Sequence, residues 1–343
     1  ATLDTGTHPV FEVNIDSGAV RRVIGGGNIA GFDIDGDRIV FTRDTIAKPA
    51  DLYLAAIRAR IAERRLTNWN EDRLAGVRMG AFEQFSFKGW NDAEVYAYVI
   101  KPWNHEPGRK APVAFLIHGG PQGSFHNQWH YRWNAQTYAG MGFAVVMIDF
   151  HGSTGYGQAF TDSISRDWGG KPLVDLQKGW SAVLEQYPDL DGERACALGG
   201  SYGGYMVNWI AGNWNEPWDC FVNHAGVFDL RSMAYSTEEL WFTEWENGGV
   251  PWENAAAIEK HNPVNFVQNW RVPMLVIHGQ KDYRVLVEQG LATFTALQRQ
   301  GIESQLLYFP DENHWILRPH NSVQWHETVN AWLQRHAGAP QAR

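Results

Sequence analysis

A mainly parallel, doubly wound α/β sheet is predicted for most of this chain, with a short antiparallel β segment ahead of it. Three observations predict it. From about residue 83 onward, apolar runs of buried-strand character alternate with stretches of helical period. That alternation is what βα units leave in a sequence. One of the apolar runs ends in a serine flanked by paired glycines. Residues 8–67 instead carry short runs divided by turn residues at hairpin spacing.

The β segment reads as about six strands. Residues 10–15 and 19–24 flank Asp16-Ser17-Gly18, and residues 32–34 and 39–42 flank Asp35-Gly36. Two further runs lie at 51–55 and 64–67. Strands this short suit a sandwich or propeller blades. Six strands make little more than one blade, and one blade alone cannot bury both faces. Residues 1–75 are therefore expected to be the remnant of a β-propeller whose earlier blades are missing, and residues 76–343 the α/β domain.

Residues 68–82 read as a connection. Residues 85–87 and 95–100 alternate around Gly89-Trp90-Asn91-Asp92, a hairpin signal. Buried runs follow at 113–117, 143–148, 195–198, 220–223, 273–278 and 305–309. Helical stretches are expected at 127–139, 174–186, 202–212, 287–299 and 322–335. Residues 229–263 fit neither period and are rich in aromatic and acidic residues. They are read either as an insertion shaping a substrate pocket or as a structural cap.

The run Ala195-Cys-Ala-Leu-Gly-Gly-Ser201-Tyr-Gly-Gly-Tyr205 organises the chain. Strand, sharp turn and helix are the setting of a nucleophile elbow, and they define an α/β-hydrolase fold. The turn forces its central residue into a strained backbone, so Gly199 and Gly203 remove side chains that would collide. Ser201 is the candidate nucleophile. Its partners should follow in the order acid, then histidine, each in a loop after a late strand. Asp282 follows the run 273–278, and His314 follows 305–309. Asp311 and Glu312 are rival acids, and His118, His224 and His278 are rival histidines read as loop supports. The oxyanion needs two N–H donors. Tyr202, opening the helix, and Gly120, in His118-Gly119-Gly120-Pro121, are the candidates. The run 152–157 resembles a phosphate loop but lacks its lysine, so it is read as a loop near the active site.

These motifs resemble the prolyl oligopeptidase family of serine peptidases. Gly-Gly-Ser201-Tyr-Gly-Gly-Tyr, His118-Gly-Gly-Pro-Gln-Gly, Gly152-Ser-Thr-Gly-Tyr-Gly and His278-Gly-x-x-Asp282-x-Arg-Val are similar to its acylaminoacyl-peptidase-like branch. Arg132-Trp-Asn, Trp168-Gly-Gly, Glu238-Glu-Leu-Trp-Phe, Pro310-Asp-Glu-Asn-His-Trp and Asn321-Ser-x-x-Trp-His are similar to its dipeptidyl-peptidase V branch. The resemblance covers about residues 83–336. It implies a peptidase that releases dipeptides from the free N-termini of oligopeptides, with a propeller gating access. Glu238 and Glu239 are candidates to receive the substrate amine, and Trp241 and Phe242 to line the pocket. Three alternatives stand beside this reading: an acylaminoacyl peptidase or oligopeptidase, an esterase, and a fragment inactive through loss of its propeller.

Bulk composition narrows the rest. A formal net charge of -9 over 343 residues argues against nucleic acid, and the four arginines between positions 58 and 65 read as a solvated face. No apolar stretch is long enough to span a bilayer. No metal-ligand spacing and no cofactor motif is present. The 17 tryptophans read as packing rather than a carbohydrate platform. Cys196 and Cys220 read as two buried thiols. The expected partners are oligopeptide substrates and the missing propeller, with self-association left open. The resemblance favours a periplasmic or secreted setting over a cytoplasmic one.

Overall fold

The computed structural model describes residues 1–58 and 63–338; residues 59–62, inside the arginine stretch, lie outside them. Two antiparallel sheets come first. β1 (Val10–Val13) pairs with β2 (Val20–Ile24), and β3 (Phe32–Asp35), β4 (Arg38–Thr45), β5 (Lys48–Ala56) and β6 (Arg64–Arg65) form a four-stranded meander. Turn chemistry sets the hairpins: Asn14 Oδ1 accepts from the N–H groups of Asp16 and Ser17, and Gly18 and Gly36 take positive φ. A small core of Val10, Ile24, Ile29, Ile39, Phe41 and Ala55 sits beneath these strands. Ile46, at the β4–β5 turn, leaves that core and joins the one around Tyr98, Ile100 and Phe143.

After the short helix α1 (Glu71–Leu74), the chain builds an eight-stranded sheet. Its strands are β7 (Phe82–Lys88), β8 (Glu94–Ile100), β9 (Ala111–Ile117), β10 (Ala144–Asp149), β11 (Leu190–Gly200), β12 (Cys220–His224), β13 (Met274–Gly279) and β14 (Ser304–Phe309). The spatial order is β14-β13-β12-β11-β9-β10-β8-β7. β7 and β8 are antiparallel to their neighbours, and β9 to β14 run parallel. Burial on both faces explains the apolar runs of β9, β10, β12 and β13 and of the second half of β11, whereas the edge strand β14 exposes Gln305 and Tyr308. On β9, Val113, Phe115 and Ile117 enter one core layer while Ala114 and Leu116 enter the other. The first layer also takes residues of α4 (Lys171–Gln186), α5 (Tyr202–Asn213) and α9 (Val287–Arg299). The second takes residues of α2 (Ala135–Ala139) and α10 (Pro319–His336). The short α3 (Gln158–Asp162) precedes α4. Between β12 and β13, residues 229–263 fold into α6 (Leu230–Ser236), α7 (Leu240–Asn247) and α8 (Ala255–Lys260).

Two expectations are overturned. The helix expected at 127–139 is confined to α2. The stretch before it is held as a loop, with the Trp129 N–H bonded to Asp44 and the Arg132 and Trp133 N–H groups bonded to His130 Nδ1. The two cysteines are not free thiols; Cys196 and Cys220 form a disulfide. Parallel pairing sets them directly opposite one another on β11 and β12, with Cα atoms 4.7 Å apart. Such a separation is within disulfide reach.

Candidate active site

β11 delivers Ser201 to the end of the sheet, and α5 carries the chain away. Ser201 takes φ 59° and ψ −120°, a region few non-glycine residues occupy. The glycines around it are required by contact. A Cβ at Gly199 would lie 2.3 Å from the backbone of Gly203, and one at Gly203 would lie 2.1 Å from Ile117 O. The Ser201 N–H donates to His224 O at 2.9 Å, tying the elbow to the end of β12. Tyr202 opens α5, so its N–H has no partner within the helix. Gly120 follows β9 with φ 126°. Among the described residues, neither of these N–H groups donates to another protein group. Gly119 packs against the serine, where a Cβ would meet Ser201 Cβ at 3.3 Å.

Asp282 and His314 arrive in the loops after β13 and β14. His314 Nδ1 donates to Asp282 Oδ2 at 2.6 Å, with both groups buried. Asp282 Oδ1 accepts the N–H groups of Arg284 and Val285 at 3.0 and 2.9 Å. Burial alone would raise the Asp282 carboxyl. Hydrogen bonds from His278 and His314, and their charges, outweigh burial and hold it well below the usual carboxylate range. Asp282 is therefore ionised at neutral pH and fixes the Nδ1–H tautomer of His314. Ser201 and His314 line one cavity of about 460 Å³. Ser201 Oγ has no hydrogen-bond partner among the described residues; contacts of this kind commonly tighten only when substrate is bound.

The rival acids, His118 and His224 are occupied elsewhere, while His278 supports Asp282, its Nε2 lying 3.5 Å from Asp282 Oδ2. The Glu312 carboxylate accepts from the N–H groups of Leu317 and Arg318 and from Asn321 Nδ2. Asp311 pairs with Arg318 and Asn321. His118 bonds Ser153 Oγ and stacks on Phe150, with ring centroids 4.1 Å apart. His278 Nε2 bonds Val285 O, and His224 Nδ1 accepts from Trp325 Nε1. The 152–157 run packs beside the oxyanion loop, with the Thr154 N–H donating to Gly123 O and Tyr156 Oη to Asp149.

The insertion supplies one wall of the cavity. Glu239, Trp241 and Phe242 line it, whereas Glu238 does not. Arg284 Nη2 lies 3.1 Å from Glu239 and 3.4 Å from Glu238. Sequence reasoning gave no role to this cation or to a second one, Arg132, although both lie within the motifs quoted above. Arg132 also lines the cavity, donates to His314 O at 3.1 Å and lies over the Trp315 ring at 4.8 Å. Burial pushes it down to about 10, so it stays charged at neutral pH. Arg284 follows Asp282 by two positions in the Asp282-x-Arg-Val motif, and that adjacency is the signal that could have given it a role.

This arrangement can carry nucleophilic acyl transfer: a strained serine, a buried histidine–carboxylate pair, two open N–H donors and a cavity joining them. Comparison with known proteins points the same way. The family model "Prolyl oligopeptidase family" matches residues 129–340. The chain is 46% identical over 259 residues to dipeptidyl-peptidase 5 of Schizosaccharomyces pombe, covering 75% of this chain and 38% of that protein. It is 35% identical over 341 residues to dipeptidyl-peptidase 5 of Porphyromonas endodontalis, covering 98% and 49%. The structure of Pyrococcus horikoshii acylaminoacyl peptidase superposes with a TM-score of 0.89 at 26% identity, covering 99% of this chain and 55% of that one. The chain thus spans less than half the length of these two curated relatives. Its fold, its elbow and the extent of the family match lead to one conclusion: the chain belongs to the prolyl oligopeptidase family.

Proposed function

We propose that this chain is the catalytic part of a serine peptidase that removes dipeptides from the free amino end of oligopeptides. The observation that carries it is the elbow serine opening into the same cavity as His314, itself bonded to Asp282. In this reading His314 Nε2 takes the Ser201 Oγ proton as Oγ bonds the scissile carbonyl carbon. The N–H groups of Gly120 and Tyr202 hold the resulting oxyanion. Collapse breaks the C–N bond, and His314 returns the proton to the leaving amine. Water, activated by the same imidazole, then releases the dipeptide from the acyl-enzyme. Asp282 stabilises the imidazolium in both halves of the reaction.

The substrate amine would sit against Glu239, in the cavity wall. Residues 1–75 would be the closing part of a propeller over this mouth. The antiparallel meander and the exposure of β3 along its whole length support that assignment. The disulfide supports a periplasmic or secreted setting, where such bonds persist. A second reading, removal of an acylated residue, is favoured by the Arg284–Glu239 pair. It would neutralise the amine anchor and leave Trp241 and Phe242 to meet a blocked terminus.

Two chromogenic substrates separate these readings: Lys-Ala coupled to a reporter, and the same compound acetylated on its α-amine. The dipeptidyl reading expects cleavage of the free-amine form only, abolished by Ser201→Ala. Equal or faster cleavage of the acetylated form would transfer the assignment to the second reading.

A further inference from the structure

We infer that Glu246 is a positioning residue that ties the two oxyanion donors to the inserted helix α7 and holds their spacing. The inference rests on the acyl-transfer reading above. Glu246 is buried, and both of its carboxylate oxygens are in use. Oε1 accepts from Gln122 Nε2 at 2.8 Å, and Oε2 accepts from Trp168 Nε1 at 2.7 Å. Each partner leads to one donor. Gln122 lies two residues beyond Gly120, on the wall of the Ser201 cavity. The Trp168 carbonyl accepts from Tyr202 Oη at 2.6 Å, and the two rings meet edge-on at 5.2 Å. Gly120 and Tyr202 come from the ends of different strands, and no hydrogen bond joins them directly among the described residues. Glu246 is the group on which both connections converge.

Its chemistry fits that task and no obvious other. Among the described residues no Lys, Arg or His lies within ion-pair distance of Glu246. A structural ion pair does not explain its burial. Burial pushes its carboxyl up, and the bonds from Trp168 and Gln122 offset part of that rise. A buried acid without a counter-cation is costly to keep unless its acceptors are needed. Both of its partners are donors, so a carboxylate satisfies them together and an amide cannot. The Arg166 N–H donates to Glu246 O at 2.8 Å, fixing the backbone of α7 at the same point. Movement of α7, which also carries Trp241 and Phe242 into the cavity, therefore reaches both donors at once. The insertion couples pocket shape to stabilisation of the reacting oxygen.

Glu246→Gln tests this, because its amide must face one of the two donors and break that tie. The readouts are the rate of Ser201 labelling by a fluorophosphonate, kcat and KM on the free-amine reporter, and affinity for a dipeptide boronate against the product dipeptide. Losing one oxyanion donor outright costs about 100- to 1,000-fold, so displacing a donor should cost about 10- to 100-fold. We expect kcat, labelling rate and boronate affinity to fall together by that factor. KM and product affinity should stay within about threefold, since the ground state makes little use of these donors. Gln122→Met, which removes one tie and keeps the shape, should move the same quantities in the same direction. The double variant should be no worse than Glu246→Gln alone. If a folded Glu246→Gln labels and turns over within twofold of the wild type, the positioning role is overturned and the acyl-transfer reading survives. Parallel loss of product affinity and KM would reduce Glu246 to a structural tether. A wild-type chain that a fluorophosphonate does not label would overturn both proposals together.

Discussion

Asp282 is a carboxylate whose hydrogen bonds fix which nitrogen of His314 carries the proton. Asp282→Asn keeps the shape but offers His314 the wrong tautomer, so kcat should fall by about 10³- to 10⁴-fold, with KM little changed. Steady-state kinetics on the free-amine reporter checks it; a loss under tenfold would remove Asp282 from the proposed machinery. The same residue sets an acid limit. Its folded pKa is depressed, so its stabilisation is present above the ordinary carboxylate range and is lost as pH falls through and below it. Melting the wild type and Asp282→Asn side by side should show the wild-type advantage shrinking below about pH 4. Ser201, Asp282 and His314 were legible because each lies just beyond an apolar strand, a position a linear pattern reports. Arg132, Arg284 and Glu246 were not. Their importance depends on loops folding back from distant strands, and a charged residue in a loop looks the same in sequence whether buried or solvated.

At the scale of elements, the central parallel strands were legible because burial on both faces leaves apolar runs. The loop at 127–134 was misread, because Trp129, Trp133 and their neighbours mimic a helical stripe while Asp44 and His130 hold their N–H groups. The elbow depends on the absence of two side chains. Gly203→Ala would drive a Cβ against Ile117 O, and such overpacking costs about 1–3 kcal/mol. Urea denaturation should show that loss, and fluorophosphonate labelling should fall further than stability does, since the strain is applied at Ser201. The disulfide was invisible to spacing alone, because only strand register places Cys196 beside Cys220. Replacing both cysteines with alanine should cost about 2–4 kcal/mol. A denaturation midpoint unchanged between the oxidised protein and that variant would show that the bond contributes nothing.

Over the whole molecule, the antiparallel segment and the α/β sheet are joined by specific contacts. The Trp129 N–H donates to Asp44 Oδ1 at 2.6 Å, the Ile46 N–H donates to Asn127 Oδ1 at 2.8 Å, and Tyr98 Oη donates to Gly6 O at 2.8 Å. The first two hold the loop that carries His130 and Arg132 into the cavity, and the third ties β8 to the N-terminal segment. Asp44→Ala should leave the Trp129 N–H unsatisfied at a cost of about 1–3 kcal/mol. It should also slow Ser201 labelling, because the loop bearing Arg132 would lose its anchor; an unchanged labelling rate would separate the segment from the site. The two-part composition of the chain was legible from its change of period, but these joints were not, since they pair residues 81 to 92 positions apart. The bond between Cys196 and Cys220 has a further, mechanical consequence. It closes a loop of 24 residues around the elbow and α5. A chain pulled from its two ends would extend on either side of that covalent rung and leave the enclosed loop unloaded. At about 3.6 Å per residue, roughly 85 Å of contour would stay hidden from the stretching force until a reductant released it. The segment bearing the nucleophile would be the last part of the sheet to feel tension.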